Sequence, residues 1–285
     1  MQNLQSIIQF YSHYFKSLGL DAPRLSAELI LVKILDTSRL DILAHPRKTL
    51  LDREIKQINR EMQRRAQGEP LAYILGQKEF YGYNFHLDPS VLIPRPDTEL
   101  ILDLVQQRFS PGQRLRFADI GTGSGVLGIC LAIIYPNSVG VGTEISASAL
   151  DIAWANMFEH AVGKRFFPLR CDLLAGLKRH KLDLIVANPP YLSQEQYTGL
   201  SREIKDHEPQ EALLAGKKGT ESLDSLFAQI TVCLRPGGSF FVEIDSSQGD
   251  YVLDCLNRDF AGQYTQIHLY KDLSGQNRVI GAKKL

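Results

Sequence analysis

Asp119-Ile120-Gly121-Thr122-Gly123-Ser124-Gly125-Val126-Leu127-Gly128 is the stretch from which the fold can be read. A strand expected at Leu115 to Ile120 leads into it and an apolar run, Val126 to Ile134, leads out as a helix, so the order is strand, glycine turn, helix. Glycines at such a turn let the backbone approach a ligand that side chains would exclude, and Gly123 to Gly128 fits the GxGxxG pattern literally. By itself the turn suits NAD or S-adenosylmethionine (AdoMet), and a purely structural turn also fits. Glu144, at the end of the next strand, is placed for a carboxylate to accept hydrogen bonds from both hydroxyls of a ribose in either case.

Working outward, strands are expected at Leu115 to Ile120, Val139 to Glu144, Phe166 to Cys171, Leu182 to Ala187, Ser239 to Ile244, Gln266 to Leu269 and Arg278 to Ala282. Helices fit at Val126 to Ile134, Ala147 to His160, Ser222 to Leu234 and Asp250 to Leu256. This alternation predicts an α/β fold, a doubly wound and mostly parallel Rossmann-like sheet with helices on both faces. Too little chain separates the last two strands for a helical crossover, so they should pair antiparallel. Seven strands with a reversed one at the end is the arrangement typical of class I methyltransferases.

Upstream the pattern changes. Leu4, Ile7, Ile8, Tyr11, Tyr14, Phe15 and Leu18 share one helical face, and Gly19 ends that helix. Asp21-Ala22-Pro23 resembles a cap before a second helix carrying Leu25, Leu29, Val32 and Leu35. Ser38 with Asp41 reads as a capping box, and a fourth helix runs from near Asp52 to Gly68, its Arg60, Arg64 and Arg65 read as a solvated face, with a basic partner-binding ridge as the alternative. The expected division is a helical domain at 1–70, a β-hairpin linker at 71–97 with its turn at Asp88-Pro89-Ser90, and a catalytic domain at 98–285.

The chain has 285 residues, 44% of them hydrophobic, and its 32 Lys+Arg balance 32 Asp+Glu. Disorder and fibrous repeats are excluded, and no global field recruits nucleic acid as a partner. The four cysteines stand singly, with no metal-binding or redox spacing, so no metal is expected. Met1-Gln2-Asn3-Leu4-Gln5 does not read as a secretory leader and no apolar stretch is long enough for a membrane span, so the expectation is a cytoplasmic monomer.

The fourth strand of the sheet separates the two cofactor readings. It runs into Asn188-Pro189-Pro190-Tyr191, a rigid and donor-poor turn at the carboxyl end of a central strand, for which a dehydrogenase has no evident use. Asn188 offers a side-chain carbonyl and Pro189 a backbone carbonyl, two fixed acceptors that fit the two hydrogens of an NH2 group. Held so, an amide nitrogen is oriented toward a methyl donor and the charge developing on it is stabilised. Tyr191 can lie against the substrate plane or a sulfonium.

These residues, together with Glu69 to Gly76, Glu79 to Gly82 and Val91-Leu92-Ile93-Pro94-Arg95-Pro96-Asp97-Thr98-Glu99, resemble the bacterial peptide chain release factor N(5)-glutamine methyltransferases over essentially the whole chain. The resemblance implies that AdoMet is the cofactor and that the acceptor is the glutamine of a Gly-Gly-Gln loop in a release factor. It implies Asn188 and Pro189 as amide acceptors, with Pro190 beside them and Tyr191 as a pocket wall. The cofactor would meet Asp119, Gly121, Thr122, Gly123 and Gly125, with Glu144 at the ribose and Asp172 at the adenine amino group. Asp172 as a helix cap is the alternative. Arg95, between two prolines, either holds a substrate carboxylate or shapes the entrance, or makes a salt bridge inside the chain.

Tyr197 to Leu213 is expected as a wall or lid with Glu208 as its anchoring acid, and Trp154 is expected in the core. Two departures from the family pattern stand out: Glu144 where aspartate is common, and Asp245 where glycine is usual. Competing readings are glutamine methylation of a ribosomal protein, methylation of adenine or cytosine amino groups, a noncatalytic AdoMet-binding scaffold, and an NAD oxidoreductase. Neutral charge counts against nucleic acid, and the linker favours release factors.

Overall fold

The computed structural model describes residues 3–285, so Met1 and Gln2 lie outside it. The chain divides into two compact units, one of Met1–Gln77 with Ser201–His207, the other of Lys78–Leu200 with Glu208–Leu285.

The first unit holds α1 (Leu4–Ser17), α2 (Pro23–Leu35), α3 (Arg39–Ala44), α4 (Asp52–Ala66) and α5 (Leu71–Leu75). Asn3 and Ser6 make a capping box for α1, and Ser38 with Asp41 makes the expected one for α3. Its core gathers Phe15, Ile30, Leu31, Ile58, Met62 and Ile74. In α2 the expected face is displaced: Ala27, Ile30 and Leu31 are buried, whereas Leu25 is exposed. Apolar residues lie on several sides of this helix, so spacing does not single out one face. The buried Glu28 carboxylate is held there by Arg24 and Arg39 at 2.7 Å each. Asp21 does not cap α2, whose N-cap is Ala22 in a left-handed conformation. The arginines of α4 are not a solvated row either. Arg64 is tied to Glu61 and Glu69, and Arg65 is buried with its guanidinium 2.9 Å from Glu203; Arg60 alone of the three is exposed.

The second unit begins with β1 (Gln77–Phe80) and β2 (Tyr83–His86), a two-stranded sheet. Its turn is Tyr81-Gly82, both at positive φ as in a type I′ hairpin loop, rather than Asp88-Pro89-Ser90. The latter is a separate turn, in which Asp88 accepts from Ser90 N at 2.8 Å, and Val91 to Ile93 form no strand. After them comes a helix that the sequence reading did not anticipate, α6 (Glu99–Arg108).

The main sheet is formed by β3 (Arg116–Ile120), β4 (Val139–Glu144), β5 (Phe166–Arg170), β6 (Leu182–Ala187), then β9, β10 and β11. Between β3 and β6 lie α7 (Val126–Ile134) and α8 (Ala147–Glu159). Beyond β6 come β7 (Leu192–Ser193), α9 (Gln194–Thr198), α10 (Arg202–Lys205), β8 (Leu214–Gly216), α11 (Glu221–Cys233), β9 (Leu234–Glu243), α12 (Gly249–Arg258), β10 (Tyr264–Lys271) and β11 (Asn277–Lys284).

The strand order is β10-β11-β9-β6-β3-β4-β5. Strand β11 runs antiparallel to both neighbours, while β9, β6, β3, β4 and β5 are parallel, so the doubly wound sheet with a reversed strand is present. Burial on both faces explains why these strands read as continuous apolar runs. Along β6, Leu184 and Val186 join one core with Phe117, Leu127 and Phe166, while Ile185 and Ala187 join the other with Phe227, Ile230 and Phe240. Trp154 is not in either core; it stands 37% exposed on α8, against Phe158. The order in which strands are added reverses at β3, with β4 and β5 on one side and β6 on the other, and at the crevice between β3 and β6 open sheets of this kind bind ligands beyond the strand ends. No helix among the described residues is long and apolar enough to cross a membrane.

Candidate active site

A cleft of about 720 Å³ opens at the carboxyl ends of β3, β4, β5 and β6, within the size range of small-molecule sites. Gly121 and Gly123 from the turn after β3, Glu144 from β4, Asp172 after β5, and Asn188, Pro189 and Pro190 after β6 all line it. Ser90 to Leu92 and Pro209 to Ala212 complete its rim. The topology thus brings to one cavity segments that lie far apart in the sequence, from Ser90 to Ala212.

The glycine turn has room for a ligand. Gly121 sits at φ +65°, and a Cβ built there meets nothing within 4 Å, because it would project into open space. Gly128 has a different reason: a Cβ there would come within 2.2 Å of the Phe166 ring, so glycine lets α7 lie close on the sheet. Asp119 does not line this cleft. It is buried beneath the turn and accepts from the Thr122 hydroxyl at 2.6 Å and from Gly128 N at 2.9 Å, holding the loop in shape. Burial lifts its carboxyl to about 6, the nearby negative Glu144 adds to the rise, and the two hydrogen bonds oppose it. Thr122 is likewise buried, and Gly125 at φ +87° is the N-cap of α7.

Glu144 braces the same turn. One carboxylate oxygen accepts from Ile145 N at 2.8 Å and Ser146 N at 3.0 Å, and the other from Gly123 N at 3.1 Å. Its position on the cleft wall leaves the second oxygen with capacity to accept a hydroxyl.

Asn188 is oriented by Thr98, a residue of the linker outside its own motif. Its Nδ2 donates to the Thr98 hydroxyl at 3.1 Å, which leaves the carbonyl end of the amide for the cleft. Thr98 is buried in a short 3-10 turn, Pro96–Thr98, before α6, and the available signal was a hydroxyl inside the Ile-Pro-Arg-Pro-Asp-Thr-Glu linker. Thr98 and Asn188 also border a smaller recess with Leu92, Pro94, Val126 and Leu127.

The turn after Asn188 is pinned along its length. Ser222 donates to Pro190 O at 2.7 Å, and Gln248 Nε2 donates to Tyr191 O at 3.0 Å and Gly219 O at 2.8 Å. Tyr191 is not among the residues lining the cleft. Its hydroxyl points to Glu243 at 3.4 Å, and burial pushes it well above the usual phenol range, with negative Glu243 adding to the rise. Gln248 and Asp245 form a reciprocal cap; Asp245 has φ −66°, so this backbone does not demand the glycine usual in the family.

Of the readings of Arg95, the structure has the internal ion pair: Nη2 lies 2.5 Å from Glu208, whose other oxygen accepts from Ile93 N at 3.2 Å. Glu208 is buried and therefore anchors the rim formed by Pro209 to Ala212. The expected lid is divided, since Ser201–His207 belongs to the first unit.

Comparison with known proteins adds an independent line. Residues 6–76 match the family model described as PrmC N-terminal domain, and residues 96–207 match the methyltransferase small domain. A release factor glutamine methyltransferase of Nitratidesulfovibrio vulgaris is 37% identical over 99% of this chain and 95% of its own length. One of Rhodopirellula baltica is 31% identical over 98% of this chain and 95% of its own. Among solved structures, a T. thermophilus 16S rRNA methyltransferase in complex with AdoMet and guanosine superposes with a TM-score of 0.52 at 21% identity, covering 73% of this chain and 50% of that one; this likeness concerns the fold.

Proposed function

The chain belongs to the family of release factor glutamine methyltransferases, and on that ground we propose that it methylates the side-chain amide nitrogen of the glutamine in the Gly-Gly-Gln loop of peptide chain release factors. AdoMet is the cofactor and supplies an electrophilic methyl carbon on a sulfonium sulfur. The open space above Gly121 and the Glu144 carboxylate on the cleft wall fit such a group: Gly121 and Gly123 would face its methionine part, Glu144 its ribose and Asp172 its adenine amino group.

The single observation that carries the reading is the tie between Asn188 Nδ2 and Thr98. It presents an acceptor, not a donor, to an incoming NH2, and the rigid Pro189-Pro190 turn brings a backbone carbonyl as the second acceptor. With both hydrogens held, the amide lone pair is directed at the methyl carbon, and the acceptors stabilise positive charge as the nitrogen gains its fourth bond. The nitrogen becomes acidic only then, so its proton leaves to solvent without a strong base having acted first. Tyr191 acts from behind the turn, stiffening it through its hydroxyl and carbonyl.

The substrate is a protein, bound by a monomeric enzyme in the cytoplasm, and balanced charge supports no direct role for nucleic acid. The test is incubation with labelled AdoMet and candidate release factors, followed by mass mapping of the product. Label on the Gly-Gly-Gln glutamine is expected; label only on a ribosomal protein or on nucleic acid would replace this reading.

A further inference from the structure

Glu243 is a buried acid that the mechanism above leaves unused. It ends β9, and the register pairs Val242 with Ala187, so Glu243 lies beside Asn188 at the tips of two neighbouring strands. Its side chain is buried, with one oxygen lacking any hydrogen-bond partner among the described residues. The Tyr191 hydroxyl bonds its other oxygen at 3.4 Å, and the Thr98 hydroxyl lies close enough to favour the ionised carboxyl. The charged groups facing it are Arg278 on β11 and Asp97, and these two approach each other at 3.6 Å.

We propose that Thr98 and Glu243 are positioning residues that together decide which end of the Asn188 amide faces the substrate. A threonine hydroxyl carries one proton. Because Thr98 accepts from Asn188 Nδ2, its proton must go elsewhere, and the unpartnered oxygen of the buried carboxylate is the acceptor at hand. An ionised Glu243 only accepts, which forces the order Asn188 N–H to Thr98 O–H to Glu243 and turns the Asn188 carbonyl to the cleft. A protonated Glu243 donates to Thr98 instead. The hydroxyl proton is then free for the Asn188 carbonyl, the amide turns over, and its NH2 meets the NH2 of the substrate.

The Thr98 side chain does not cap α6, the helix that follows it. Burial lifts the Glu243 carboxyl to about 7, against the two hydroxyls and Arg278, which hold it down, while Asp97 adds to the rise. The change of direction therefore falls near neutral pH.

This inference rests on the acceptor role of Asn188 in glutamine methylation, so the experiment separates the two. The full-length enzyme is assayed on an intact release factor across about pH 5.5 to 9, with AdoMet affinity and melting temperature measured in parallel. In the wild type, kcat should fall about tenfold per pH unit below about 7. Thr98→Val should lower kcat by about tenfold or more while AdoMet affinity stays within about threefold, and Thr98→Ser should recover to within about threefold of wild type. Glu243→Gln, which does not ionise, should lose the acid limb whatever its absolute rate.

Wild-type kcat in Thr98→Val overturns the proposal. So does a matched loss of kcat and AdoMet affinity that serine does not rescue, or an acid limb that survives in Glu243→Gln. No transfer to any release factor by the wild type overturns the functional reading itself, and this inference with it.

Discussion

Asn188 has chemically opposite ends, and a bond at one end decides what the other offers. Asn188→Ala should abolish methyl transfer while AdoMet affinity stays within about tenfold, because the lost acceptor orients the substrate more than the cofactor. Full turnover by that variant, in the labelled-methyl assay, rejects the role. Glu144→Ala should weaken AdoMet by about 1–3 kcal/mol through lost charge-assisted hydrogen bonds; an unchanged dissociation constant by calorimetry would remove Glu144 from the site. Asp119 yields a pH prediction. Its folded pKa of about 6 lies above the ordinary value, so the folded chain holds the proton more tightly than the unfolded one. The stability this adds is fully present below the unfolded pKa and is lost as pH rises through about 6. Asp119→Asn should therefore flatten the change in ligand-free unfolding free energy between pH 5 and pH 8 by about 1–2 kcal/mol. Parallel denaturation curves for both proteins at the two pH values check it. At this scale the sequence made Asn188, the glycines and Glu144 legible, because each belongs to a short motif next to a strand. Thr98 and Glu243 were not legible as partners of Asn188. Pairing of β6 with β9 brings Glu243 there from about fifty-five residues downstream, and a side-chain bond ties in Thr98 from about ninety residues upstream, neither of which local spacing encodes.

Among the elements, α7 shows how a turn depends on packing behind it. Gly128 leaves no room for a methyl group beside Phe166, so Gly128→Ala should cost about 1–3 kcal/mol of stability by overpacking. Adding Phe166→Leu should recover part of that loss, as the second change removes the obstructing ring. If the two losses simply add in a double-mutant cycle, the close approach does not carry the cost. Strands buried on both faces were read nearly to their ends, since a short apolar run bounded by turns suits a strand covered on both sides better than an exposed segment. The hairpin was misplaced because Asp88-Pro89-Ser90 has stronger turn chemistry than Tyr81-Gly82, although only the latter joins paired strands. Helix α6 escaped notice where the linker pattern ended, and α2 offered apolar residues on too many sides to reveal its buried face.

The whole molecule is two units, each assembled from two separate stretches of chain. Arg65 of α4 bonds Glu203 across 138 positions of sequence, and its guanidinium also donates to Glu69 O at 2.9 Å. Arg65→Ala should destabilise the protein by about 2 kcal/mol, whereas the exposed Arg60→Ala should stay within about 0.5 kcal/mol. Equal effects in urea denaturation would show that burial of Arg65 does not matter. The alternation of strands and helices runs through the larger unit, and helical spacing through most of the smaller. Membership of Ser201–His207 left no trace in either pattern, because a seven-residue insertion contributes neither a repeat nor a boundary. An engineer transplanting the helical module onto another enzyme would thus carry an incomplete object if the cut were made after Gln77. The graft would have to bring a peptide from far along the chain, and a nascent polypeptide faces the same constraint: the first module stays unfinished until more than two hundred residues have been synthesised.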